Sequence, residues 1–301
     1  MSPVSRDTTA GRAYLDLQAM ARRTGRPTQE LLVLYVLERF LFRLAFSTFR
    51  DRLVLKGGML LAALDSRRPT ADIDLLARAI SNDADEVTRI VFAILQVPVD
   101  DGVVYDPGRM SVRAIRDTEP YAGTRLSLPA QLGQARVVLR LDINVGDPVT
   151  PAPVEVEYPA LLEGSFRLLG YPLATVLAEK VVTMVERGVA TTRERDFADV
   201  VLLSRRHPVD AAELLAALRA TAAHRGSTLR PLGGWLARLG ALRQASWSAY
   251  IDRSGLAEVL PIDYEAAIAA VSFFVDPLLD GSTTAGSWDP IQKHWSKETG
   301  A

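Results

Sequence analysis

The sequence predicts an α/β fold of the α+β kind, in which a mixed sheet is preceded by helices and followed by a mainly helical C-terminal lobe. Three observations predict it. Residues 9–24 and 28–47 carry apolar positions at helical spacing. The middle of the chain breaks into short alternating segments. From Tyr171 onward, PLATVLAEKVVTMVER, RERDFADVVLLSRR and AAELLAALRATAAHR keep a helical period with little strand signal. A chain of 301 residues accommodates two lobes, divided here near Gly170 into 1–170 and 171–301.

Gly25-Arg26-Pro27 separates the two N-terminal helices, with Thr28 the expected N-cap of the second. Residues 31–46, LLVLYVLERFLFRLAF, read as a buried helix with a charged stripe from Glu38, Arg39 and Arg43, which also interrupts any membrane span. Residues 52–55 form a short strand, Gly57 and Gly58 a turn, 59–64 a short helix and 71–77 an alternating strand. Asn82 is expected to cap a helix running to about Gln96. Beyond it, Gly102, Pro107, Gly108, Gly123, Pro129 and Gly133 punctuate four short strands, the last being RVVLRLDINV over 136–145 with Asp142 near its end.

Composition narrows the function classes. Hydrophobic residues at 48% and charged residues at 24% describe a folded globular protein. The N-terminus lacks the apolar core of a secretory signal, and zero cysteines exclude a disulfide scaffold, thiol catalysis and cysteine-ligated zinc; a cytoplasmic protein with no membrane association is expected. A net charge of −1 gives no global basic field, so any nucleic-acid contact must come from a local patch. Of 35 basic residues only those at 56, 180, 293 and 297 are lysine, which draws attention to Lys56 and Lys180 as positions needing a compact, rotatable ammonium.

In LVLKGGMLLAALDSRRPTADIDLLAR, residues 53–78, Asp72 and Asp74 leave the same face of the expected strand, roughly 6–7 Å apart at their Cα atoms. Adjacent carboxylates repel unless a cation lies between them. A hard divalent ion such as Mg²⁺, or Mn²⁺, takes oxygen ligands and leaves positions for substrate phosphates. Asp142 is the best candidate for a third carboxylate from a neighbouring strand, in a site of one metal or two. Gly57 and Gly58 let backbone N–H groups approach a phosphate, the following helix start adds partial positive charge, and Lys56 beside them would neutralise phosphate charge. Thr70 supplies a hydroxyl at the pocket rim or caps a turn. Taken singly, a DxD is more often a turn boundary or solvated face, and a glycine pair a plain turn; the conjunction is the stronger signal.

The conjunction resembles the polymerase-beta-like nucleotidyltransferase superfamily. More narrowly, LVLKGGMLLAALDSRRPTADIDL followed by LAEKVVTMVERGVATTRERDFADVVLL resembles the AbiEii/AbiGii toxin family, including its mycobacterial members, over roughly residues 30–205. The resemblance implies a nucleotidyltransferase core over about 48–170, with the active site in the cleft between core and helical lobe. It implies that Lys56, Gly57, Gly58, Asp72 and Asp74 bind NTP and metal, and that Lys180 and Asp196, on successive helices, face the nucleotide. A lysine there would clamp the triphosphate and Asp196 would orient it or act as a base. Asp142 would complete the site or serve as base for the attacking hydroxyl, and Asp199 reads as a structural ion-pair partner. It also implies Mg²⁺-dependent NMP transfer to an RNA acceptor, a tRNA 3′ end, with translation blocked and a cognate antitoxin restraining the toxin. Met59 departs from the family, in which many members carry a small hydroxyl residue after the glycine pair.

Two other classes remain open on the residues alone: a DxD glycosyltransferase acting on a nucleotide-sugar, and a non-catalytic nucleotide-binding module. Arg193, Arg195, Arg205 and Arg206 are the expected RNA patch. His207, His224 and His294 carry no ligand role, and Trp235, Trp247, Trp288 and Trp295 pack in the C-terminal lobe, with base stacking by one of them as the alternative.

Overall fold

The computed structural model describes residues 4–115 and 123–296, which fall into two compact units. The first comprises the chain up to Ala63, Arg67–Asp147 and Val154–Gly170. It opens with α1 (Thr9–Thr24) and α2 (Thr28–Ala45). The Thr8 side chain accepts from Gly11 N–H at 3.0 Å to start α1, and Gly25 at φ +68° ends it. Thr28 is the first helical residue of α2 and not its cap; Pro27 occupies the cap position without a side-chain hydrogen bond, its fixed φ suiting the entry.

The expected charged stripe of α2 is a buried one. Glu38 and Arg43 are 0% and 4% exposed. Arg43 forks onto Asp101 at 2.5 and 3.2 Å, and Glu38 accepts from Arg39 at 2.7 Å and from the Leu161 N–H at 2.8 Å. Burial pushes the Glu38 carboxyl above its ordinary range, against the pull of the Arg39 and Arg67 guanidiniums. A helix wrapped on nearly every side can keep charges only where each meets a partner.

The sheet is mixed. It contains β1 (Leu53–Lys56), β2 (Ile73–Ala77), β3 (Val103–Tyr105), β4 (Ser111–Ile115), β5 (Gly123–Leu132), β6 (Ala135–Val145), β7 (Val154–Pro159) and β8 (Ser165–Gly170). The order is β3-β5-β6-β2-β1-β8-β7, with β4 pairing on β5. β2 runs parallel to β6, and β1 parallel to β8; the other pairs are antiparallel. Val137, Leu139, Leu141 and Ile143 of β6 are buried, on the face that packs against α2, while Arg136, Val138 and Arg140 are exposed. Between β1 and β2 lies a single helical turn, α3 (Gly57–Leu60), shorter and earlier than the expected 59–64. Asp83, not Asn82, caps α4 (Ala84–Leu95), accepting from Glu86 N–H at 2.8 Å; Asn82 takes the Thr124 hydroxyl instead.

The second unit comprises Leu64–Ser66, Pro148–Pro153 and the chain from Tyr171. It holds α5 (Leu173–Arg187), α6 (Glu194–Arg206), α7 (Ala211–Arg225), α8 (Gly233–Ser254) and α9 (Tyr264–Leu279). A small sheet of β9 (Val209–Asp210), β10 (Ser287–Asp289) and β11 (His294–Trp295) accompanies them. Its core is aromatic: Trp247 stacks on Tyr264 at 4.9 Å, and Phe274 meets Trp288 at 4.9 Å and Trp295 at 5.4 Å. All four indoles donate to backbone carbonyls, of Pro231, Pro261, Ser204 and Phe274. Among the described residues no helix is long and apolar enough to cross a membrane.

Candidate active site

The glycine pair and the carboxylates assemble on one another. Lys56, the last residue of β1, pairs in register with Asp74 of β2, and Gly57 follows at φ +65°, a left-handed conformation suited to glycine. A β-carbon on Gly57 would stand 1.9 Å from Asp74 Oδ2, and one on Gly58 would stand 2.7 Å from Thr70 Oγ1. Thr70 in turn donates to Asp72 Oδ1 at 2.9 Å. Asp74, Thr70 and Asp72 are half-buried, so ligand can reach them. Asp72 lies just ahead of β2, which begins at Ile73, so Thr70 fixes its carboxylate where the strand ladder does not. Met59 turns into the core at 1% exposure against the Tyr158 hydroxyl; the hydroxyl beside the glycines comes from Thr70 across the turn.

Asp142 stands on β6 as the register partner of Asp74, so the two occupy neighbouring positions on parallel strands. Its carboxylate is not turned to a common ion. Arg125 of β5 grips it in a fork at 2.7 and 2.6 Å, and among the described residues no group of three His, Cys, Asp or Glu side chains is placed to hold a metal. Asp72 and Asp74 nevertheless suit Mg²⁺, an all-oxygen pair for an ion commonly held by one or two carboxylates, with water and substrate phosphates completing the shell. The Lys56 ammonium is buried at 7% exposure against Asp147, where a phosphate contact was expected. The one-turn α3 offers backbone N–H groups, but little of the macrodipole of a long helix. Arg68, whose Nη1 lies 3.4 Å from the Gly58 β-carbon position, and Arg125 were missed by sequence reasoning. Arg68 sits beside the DxD in DSRRPTADID. Arg125 becomes visible only once the β5–β6 register is known.

Lys180 and Asp196 come together in the second unit. Lys180 of α5 donates to Asp196 at 3.2 Å and to Asp199 at 2.6 Å, both aspartates lying one turn apart on α6. Asp199 is 0% exposed and holds the ammonium as a structural partner. The expected RNA patch is largely engaged: Arg205 donates to the Val259 carbonyl at 2.7 Å, Arg206 to the Asp65 carbonyl, and Arg193 lies 3.8 Å from Asp196.

A sequence model of the family described as nucleotidyl transferase AbiEii toxin, type IV toxin–antitoxin system, matches residues 39–277. The chain belongs to the AbiEii nucleotidyltransferase toxin family. It is therefore a transferase, and the glycosyltransferase and non-catalytic readings fall away. Among solved structures, a candidate nucleotidyltransferase from H. pylori shares 14% identity at a TM-score of 0.49, covering 85% of this chain and 98% of that one. JHP933 from Helicobacter pylori shares 13% at 0.48, covering 84% and 94%. At such values the AbiEii assignment rests on the family match and not on these neighbours. No curated protein matches the chain.

Proposed function

We propose that this AbiEii protein is a cytoplasmic toxin that transfers a nucleoside monophosphate from an NTP to an RNA acceptor, a tRNA 3′ end, so blocking translation until a cognate antitoxin restrains it. The two domains of this reading are residues 1–170 and 171–301. The observation that carries it is the seating of Asp74 against Gly57 and of Thr70, bonded to Asp72, against Gly58. A backbone able to approach phosphate and two carboxylates able to hold its counter-ion then share one turn.

Asp72 and Asp74 would hold Mg²⁺ or Mn²⁺, which supplies charge neutralisation on the phosphates and orients them. The N–H groups following Gly57 cradle phosphate oxygens, and Lys56, through Asp147, fixes the end of β1 ahead of the turn. The acceptor hydroxyl attacks the α-phosphorus; that P–O bond forms as the bond to the β-phosphate breaks and pyrophosphate leaves. Asp142, held by Arg125, would receive the hydroxyl proton. Lys180, oriented by Asp196 and Asp199, would take up negative charge on the departing phosphates.

The test is incubation of the full chain with total RNA and each α-labelled NTP in turn, alongside the Asp74→Asn variant. Label is expected in RNA from at least one nucleotide with the wild type and not with the variant. RNA left unlabelled by all four sinks the proposal.

A further inference from the structure

Strand register lines up a row across the sheet: Arg113 of β4, Arg125 of β5, Asp142 of β6, Asp74 of β2 and Lys56 of β1 are consecutive partners. Partners on paired strands project from the same side, so the proposed carboxylate site and two arginines share one face. Alternation along β6 adds Arg140 and Arg136 to it, opposite Ser127 and Gln131 of β5. Strands lie about 4.8 Å apart, so Arg113 stands about 10 Å from Asp142 and about 14 Å from Asp74, while Arg140 and Arg136 are about 13 Å from each other along β6. All four arginines are exposed. Arg125 takes Asp142; among the described residues, no carboxylate lies within ion-pair distance of Arg113, Arg136 or Arg140.

Among the described residues, the exposed guanidiniums of Arg113, Arg136 and Arg140 make a local positive field beside the Arg125–Asp142 pair. Among the described residues the large apolar side chains exposed on this face are two valines, Val138 at 42% and Val104 of β3 at 68%, the latter in register with Gln131. Valine is under-represented among the residues that anchor protein interfaces, where tryptophan and tyrosine are favoured. A polyanion needs only the charges.

We infer that the β4–β5–β6 face, through Arg113, Arg136 and Arg140 with Arg125 at its inner edge, is the seat of the acceptor RNA backbone. Phosphates upstream of the reacting 3′ end lie over these arginines while the end itself reaches Asp74 and Asp142. The inference rests on the proposed RNA transfer but places the RNA on the sheet, not on α6.

Binding of a labelled RNA with a single-stranded 3′ end to the full chain, without NTP, is followed by fluorescence anisotropy over a series of salt concentrations. Changing Arg113, Arg136 and Arg140 together to Glu is expected to weaken binding about tenfold or more and to flatten the log Kd against log salt slope by about 2, at roughly 0.7 per single-strand phosphate contact. The corresponding Gln triple variant should lose the same slope without added repulsion, and the Arg205→Glu/Arg206→Glu variant should bind as the wild type does. Wild-type slope and affinity in both triple variants, loss confined to the α6 variant, or no RNA binding by the wild type at low salt would each overturn the inference. Label transfer is scored separately: transfer by the wild type with RNA binding undisturbed in the triple variants removes only the surface. Binding lost in those variants with no transfer by the wild type removes only the reaction.

Discussion

The carboxylate of Asp74 lies against the α-carbon of Gly57, so close that a β-carbon built there would stand 1.9 Å from Oδ2. Gly57→Ala therefore meets two penalties. The residue sits at φ +65°, where a non-glycine residue costs about 1–3 kcal/mol, and Asp74 must swing away from the turn. Since misplacement by an ångström can cost about 100-fold in rate, NMP transfer should fall by about that factor while the chain still folds. Initial rates at saturating NTP, beside a denaturation midpoint, read both effects. A variant as fast as the wild type would show that the contact does not organise the site.

Metal dependence follows from the same pair. Chelation should abolish transfer and added Mg²⁺ or Mn²⁺ restore it. Asp72→Asn and Asp74→Asn each remove a formal charge from the ion's shell at nearly constant shape. Each is expected to raise the Mg²⁺ concentration for half-maximal rate and to lower the maximal rate about 100-fold, the equivalent of about 2.7 kcal/mol of barrier. Transfer indifferent to chelation would remove the divalent ion from the mechanism.

Lys180 combines a proposed phosphate role with a visible structural one. Its removal leaves Asp196 and Asp199 facing each other across the space the ammonium filled. Lys180→Ala should therefore be unstable as well as inactive, by about 3–5 kcal/mol if the buried grouping behaves as such pairs do. A cycle with Asp199→Asn separates the roles: the double variant should regain stability relative to Lys180→Ala but not activity. Recovery of transfer with stability would reduce Lys180 to a scaffold.

The helices, the glycine turn and the strand bearing Asp142 were legible because each is written locally, in 3.6- or 2-residue periods and in glycines that interrupt them. Boundaries moved by a residue or two where caps compete, as Asp83 displaces Asn82 and Pro27 displaces Thr28. What local pattern could not carry was pairing between distant residues. Nothing near Lys56 announces Asp147, 91 positions on, and nothing near Asp142 announces that Arg125 faces it until β5 and β6 are aligned. The same limit hid the row of Arg113, Arg125, Arg136 and Arg140, which come from three strands and are seen to share a face only once the register is known. Periodicity marked Glu38 and Arg43 as a charged stripe on a buried helix but cannot register that Leu161, Arg67 and Asp101 come to meet them.

Glu194, the first residue of α6, gives a pH signature close to the Lys180 cluster. Burial pushes its carboxyl upward, but hydrogen bonds from its own backbone N–H and from Arg243 and Ser246 outweigh that and hold it below the ordinary 4.5. With the folded value depressed, the unfolded chain takes up the proton first as pH falls. The stabilisation is thus complete above about 4.5 and is lost as pH drops through the folded value. Glu194→Gln should consequently be less stable than wild type near neutrality, with the gap narrowing only below that point. Urea midpoints of the two proteins across the acid range measure it, and a gap that stays constant with pH would mean that Arg243 contributes packing there and not charge. Because Glu194 starts the helix that presents Asp196 and Asp199, the same acid range should also slacken their hold on Lys180, and transfer should decline before global unfolding sets in.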